Sequence, residues 1–144
     1  MTPRLLLVED SVDRVEWFQT HLDPALRLLW TPDAGRAIGT IRRDRGAGWA
    51  GLLLDHDLTE RCSTEQISGS GTNVVDAVIR YVPRHLPVFV HSANVTKGPE
   101  MAARLAASGF DVTRATFASV SVPMFRDWQA EALESWEAYQ DEEP

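Results

Sequence analysis

Short apolar runs and amphipathic segments alternate five times along the chain. The runs are Leu5 to Val8, Leu26 to Trp30, Gly51 to Leu54, Pro87 to Val90 and Phe110 to Thr116. The first four lack strict alternation of apolar and polar positions, the pattern of strands covered on both faces. The fifth is more polar and reads as an edge strand. Between the runs the period lengthens to that of a helix. Val15, Phe18 and Leu22 fall at i, i+3 and i+7 behind Ser11, a candidate N-cap. Ala34, Ala37, Ile38 and Ile41 form the second stripe, with Thr31 expected as its cap and Pro32 in its first turn. Val74, Val75, Val78, Ile79 and Val82 form the third and stop before Pro83. Met101, Ala102 and Leu105 form the fourth, between Gly98-Pro99 and Gly109. Phe125, Trp128, Ala132 and Trp136 form the fifth, which fades into the acidic tail Asp141-Glu142-Glu143.

Five βα units in this order predict an α/β fold with a five-stranded parallel sheet and helices on both faces. The flavodoxin-like strand order 2-1-3-4-5 is the expected one, and ligands on such sheets bind beyond the C-terminal strand ends. A length of 144 residues fits a single domain, 1–144, with a tail at about 140–144 and no output domain. The long irregular stretch Thr59 to Gly71, with Ser68-Gly69-Ser70-Gly71, reads as a mobile loop beside the site.

Composition narrows the function classes. The chain is 44% hydrophobic and 24% charged, as in ordinary globular proteins. Its net charge is −7, thirteen of its fourteen cationic residues are arginine, and its one lysine is Lys97. No basic cluster exceeds Arg42-Arg43-Asp44-Arg45, so a nucleic-acid backbone is not an expected partner. The one cysteine, Cys62, excludes an internal disulfide and a cysteine-rich zinc site. Four apolar residues behind Arg4 are too few for a signal h-region, and no run approaches the roughly 18 residues of a membrane span. A cytoplasmic location without membrane attachment is expected.

The chemistry gathers at the strand ends. Strand one ends in Glu9-Asp10, strand three in Asp55-His56-Asp57, and strand four in His91-Ser92-Ala93-Asn94. In the order 2-1-3-4-5 these three strands are neighbours about 4.8 Å apart. Carboxylates so gathered repel unless a cation neutralises them, and oxygen donors suit Mg²⁺, or Mn²⁺. Glu9, Asp10, Asp55 and Asp57 are therefore the carboxylates from which a metal would draw its ligands. Strand parity puts Asp55 and Asp57 on one face and His56 on the other, unless the strand has already ended at His56.

Leu-Leu-Leu-Val-Glu-Asp-Ser, Leu-Leu-Leu-Asp-His-Asp-Leu and Pro-Val-Phe-Val-His-Ser-Ala-Asn together resemble a response-regulator receiver domain over essentially the whole chain. The resemblance implies that Glu9 and Asp10 are the acidic metal pair, Asp55 the phosphoacceptor and Ser92 the hydroxyl residue of strand four. Receivers carry a lysine at the end of strand five, usually before proline. Here the stretch is Thr113-Arg114-Ala115-Thr116-Phe117, Lys97 lies after strand four, and Arg114 differs from lysine in geometry and hydration. Asp-His-Asp-Leu with His-Ser-x-Asn is similar to the cyclic-phosphate processing receiver domain, as are Gly71-Thr72 before Val74-Val75 and the Gly98 and Met101 spacing. That resemblance implies work on cyclic phosphate esters.

The residues suit such chemistry. A metal on Glu9, Asp10 and Asp55 can neutralise phosphoryl charge, His56 and His91 are of the residue type suited to acid and base roles, and Ser92, Asn94 and Asp57 can hold or orient the reacting groups. The expected partner is a phosphate-containing small molecule or a phosphodonor. In the alternative, a signalling module, Asp55 is phosphorylated and the last helix binds a protein. His21 and His85 are expected at the surface, Trp17 off the main stripe of its helix, and Trp30 and Trp49 at strand boundaries covering core edges.

Overall fold

The structure, a computed structural model, describes residues 1–58 and 71–142. The expected loop from Thr59 and Cys62 within it lie outside the described residues, and Gly71 opens a helix. In chain order the elements are β1 (Arg4–Val8), α1 (Val12–Thr20), β2 (Arg27–Thr31), α2 (Ala34–Asp44), β3 (Trp49–Leu54), α3 (Gly71–Tyr81), β4 (Val88–Val90), α4 (Lys97–Ala107), β5 (Val112–Arg114) and α5 (Val122–Glu142). A 3₁₀ turn, Phe117–Ser119, joins β5 to α5. The five strands are parallel in the order β2-β1-β3-β4-β5.

The unbroken apolar runs are explained by two cores, one on each face of the sheet. Leu6, Val8, Leu52, Leu54, Val88 and Val90 pack with α2, α3 and α4 through Ile41, Val78 and Leu105. Leu5, Leu7, Leu53 and Phe89 pack with α1 and α5 through Phe18, Phe125 and Trp128. Adjacent residues of one strand thus enter opposite cores. Gly51 lets α5 lie close: a Cβ there would sit 2.9 Å from Cη2 of Trp128 and 3.1 Å from the Pro87 carbonyl oxygen.

Local chemistry moved several boundaries. Ser11 caps α1, accepting from the Arg14 amide at 3.4 Å. Thr31 does not cap α2. It ends β2 and its hydroxyl donates to the Leu7 carbonyl at 3.2 Å, while Asp33 accepts from the Arg36 amide at 2.8 Å. Gly98-Pro99 lies inside the first turn of α4, where a missing N–H costs no helical bond. Strand five is limited to Val112–Arg114, since its partner β4 has three residues and pairs with those three alone. The last helix continues to Glu142, through the start of the acidic tail. Trp17 is half-buried, its ring 5.4 to 5.6 Å from those of Phe18, Phe117 and Phe125. Trp49 is fully buried, whereas Trp30 is exposed.

Candidate functional site

Sheet register builds the site. Val8 pairs with Leu54 and Leu54 with Val90, so Glu9, Asp55 and His91 each lie one residue beyond an aligned strand end. Backbone bonds continue the alignment: the Asp55 amide donates to the Val8 carbonyl at 3.2 Å and the His91 amide to that of Leu54 at 3.0 Å. All three keep the parity of Leu7, Leu53 and Phe89, and so extend the α1–α5 face of the sheet. Their ligand atoms lie within 4.8 Å of one another. Asp10, half-buried next in the chain, is not one of the three.

Burial makes this group electrostatically costly. Glu9 and His91 are 0% exposed and Asp55 2%. His91 Nε2 is 2.8 Å from Glu9 Oε1, the ring packs against Phe18 at 4.9 Å, and Nδ1 is buried with no hydrogen-bond partner among the described residues. The second oxygen of Glu9 accepts from the Ser11 amide at 3.1 Å. Burial pushes the Asp55 carboxyl up to about 6, the Glu9 charge adds to the rise, and His91, the His56 amide and Arg14 oppose it. Two buried carboxylates and an imidazole from three adjacent strands are a donor set that fits a divalent cation. The oxygen pair suits Mg²⁺, and the nitrogen favours Mn²⁺.

The cation beside these acids is one that strand-end reasoning missed. Arg14 Nη1 lies 3.9 Å from Glu9 Oε1 and 3.6 Å from Asp55 Oδ2. It projects from the first turn of α1, which starts three residues after Glu9. That short connection was the available signal, because a helix that begins so soon overhangs the strand end it leaves. Arg114 is exposed at the end of β5, and Lys97 pairs with Glu100 at 3.2 Å on the surface of α4.

A second cluster lies at the mouth. The third strand ends at Leu54, so the parity rule no longer governs His56. Its ring turns to Asp57 and α3: Nδ1 is 2.8 Å from Asp57 Oδ1 and Nε2 is 3.2 Å from Thr72 Oγ1. A carboxylate can only accept, so the pairing places a proton on Nδ1, and in the neutral ring Nε2 is the acceptor facing the Thr72 hydroxyl. Asn94 Nδ2 donates to Asp57 at 3.1 Å, while Asn94 Oδ1 accepts from the amides of Thr96 and Lys97 at 3.0 and 2.7 Å. His56 and, less strongly, Asn94 hold the Asp57 carboxyl below the usual carboxylate range. Ser92 is buried and its Oγ accepts from the Asn94 amide at 3.0 Å. Gly71 permits the approach of α3, since a Cβ there would sit 2.6 Å from both the Asp55 carbonyl oxygen and His56 Cα. Asp55 and Asp57 are therefore separated, one inside and one 58% exposed at the rim.

Solved structures share this architecture. The fold is the receiver fold. The signal receiver domain of a protein described as a Luxo repressor, from Vibrio parahaemolyticus, superposes with a TM-score of 0.73 at 20% identity, covering 100% of this chain and 99% of that one. A response regulator receiver domain protein from Clostridium thermocellum gives 0.69 at 11% identity, covering 95% and 98%. The Mn²⁺-bound form of response regulator Rcp1 gives 0.62 at 18% identity, covering 89% and 90%. No family model and no curated protein matches the sequence. Among the described residues no helix is long and apolar enough to cross a membrane.

Proposed function

We propose that this chain is a cytoplasmic receiver-type module whose strand-end site binds a divalent cation and a phosphate group and opens cyclic phosphate esters. The observation that carries this reading is the buried Glu9–Asp55–His91 group lying one residue from the Asp57–His56–Thr72 line. Glu9, Asp55 and His91 hold the cation, with Asp10 beside them. A bound cation would neutralise charge on the phosphoryl oxygens. Ser92 and Asn94 hydrogen-bond those oxygens. His56, fixed as the Nδ1–H tautomer by Asp57, takes a proton from the attacking water at Nε2 once the Thr72 hydroxyl rotates away from it. As the new P–O bond forms the ring P–O bond breaks, and His56 returns that proton to the leaving oxygen. His91 is fully buried against Phe18, which suits a ligand and not a proton donor to substrate.

Phosphorus NMR with Mg²⁺ tests this, offering a 2′,3′-cyclic nucleotide and, separately, acetyl phosphate. The cyclic signal is expected to give way to a monoester, about 10²–10⁴-fold more slowly in His56→Ala. The second reading is a signalling module with Asp55 as phosphoacceptor, favoured by the likeness in fold to response regulators. An unchanged cyclic ester, with a phosphoryl mass gained from acetyl phosphate and absent in Asp55→Ala, decides for that module.

A further inference from the structure

Arg14 stands between two enclosed acids, Glu9 and Asp55. Arg43 meets Asp44 at 2.8 Å and Arg104 meets Asp76 at 2.7 Å, at hydrogen-bond distance, while the looser pairs Arg4–Asp44 and Arg36–Asp33, at 3.7 and 3.6 Å, involve carboxylates that solvent still reaches. Arg14 offers a single nitrogen, Nη1, to Glu9 and Asp55 at once, at 3.9 and 3.6 Å, and hydrogen-bonds neither. Its side chain is 30% exposed while both acids are enclosed. Its guanidinium also lies over the Phe117 ring, 5.1 Å from the centroid. This cation is thus held by charge and by an aromatic face, at the mouth of a site whose donors suit a divalent ion.

We propose that Arg14 is a displaceable counter-cation of the acidic site. It balances Glu9 and Asp55 in the metal-free protein and swings away from both acids, shifting on the Phe117 ring, when a divalent ion takes its place. A guanidinium and a dication repel at this separation, and the loose geometry lets the side chain yield without breaking a hydrogen bond. Phe117 lies in the turn between β5 and α5 and touches Trp17 and Phe18. Exchange of cations at the site therefore reaches the chain beyond β5. The proposal rests on the divalent-cation reading above and adds to it the antagonism between Arg14 and the ion.

Mn²⁺ titration at pH 8, with free ion counted by its EPR signal, tests it on the wild type, Arg14→Met and Arg14→Lys. Arg14→Met is expected to bind Mn²⁺ about tenfold more tightly, a factor ordinary for two coupled occupancies. Arg14→Lys, which keeps the charge, is expected to stay near the wild type. In ¹⁵N NMR spectra Mg²⁺ is expected to shift the amides of Phe117–Ser119 in the wild type and much less in Arg14→Met. Binding that is equal or weaker in Arg14→Met overturns the role of Arg14 and leaves the cation site standing. Binding by none of the three proteins overturns the cation site, and this inference with it.

Discussion

Replacing Asp55 by asparagine should stabilise the metal-free protein, and by an amount that depends on pH. The Asp55 carboxyl is 2% exposed, and burial, followed by the Glu9 charge, raises its pKa from 3.8 to about 6. At 1.36 kcal/mol per unit this displacement corresponds to about 3 kcal/mol. The folded state prefers the neutral acid, so the contribution is complete below the unfolded pKa. It is lost as pH rises through the folded value of about 6. Asparagine is neutral throughout and keeps an Oδ1 for the His56 amide, now 2.8 Å from the carboxylate. Urea unfolding in chelator should therefore show Asp55→Asn more stable than wild type by about 3 kcal/mol at pH 8 and by about half of that at pH 5. In a thermal scan the pH 8 difference is about 10 °C. A gain equal at both pH values, or a loss at pH 8, would refute the reasoning, since either separates the stability of the site from the charge on Asp55.

Three further outcomes follow from the same geometry. Mn²⁺ or Mg²⁺ at a hundred times its Kd should stabilise the wild type by about 2.7 kcal/mol; calorimetry should show the gain vanish with EDTA and in Asp55→Asn. His91→Leu removes the group 2.8 Å from a fully buried carboxylate oxygen of Glu9. It should cost about 2–4 kcal/mol in urea unfolding, and a cost near zero would mean that Glu9 does not depend on the imidazole. Gly71→Ala forces a Cβ to 2.6 Å from Asp55 and His56 backbone atoms. It should cost about 1–3 kcal/mol and move the His56 ring resonances in NMR spectra.

The fold was legible because its information is repeated: each apolar run and each helical stripe points to the same layered sheet. The neighbourhood of strands one, three and four followed from the strand order, and with it the proximity of Glu9 to Asp55. Which residues of each cluster meet was not legible, because pairing register is a property of two strands together. The register that aligns Leu54 with Val8 and Val90 puts Asp55 level with Glu9 and His91, and a slip of one residue would put His56 there. Arg14 escaped notice for a related reason. Its reach over the acids depends on the angle at which α1 leaves β1, and no periodicity encodes that angle. Thr31 was expected to cap α2, and Asp33 does so instead because β2 runs through Thr31. Trp17 lies off the stripe of its own helix, yet half-buries itself because Phe117 and Phe125 come from beyond β5.

The aligned strand ends also decide how the site can open. Glu9, Asp55 and His91 are carried by β1, β3 and β4, the three interior strands of the sheet. Parting them means breaking the central ladder and both cores at once, so local opening at this point approaches the free energy of global unfolding. The amides of Asp55 and His91, bonded to the carbonyls of Val8 and Leu54, belong among the slowest hydrogens of the protein to exchange with solvent. Entry and release at the acidic group are then the business of side chains at the mouth, while the frame that spaces the three donors stays closed for the lifetime of the fold.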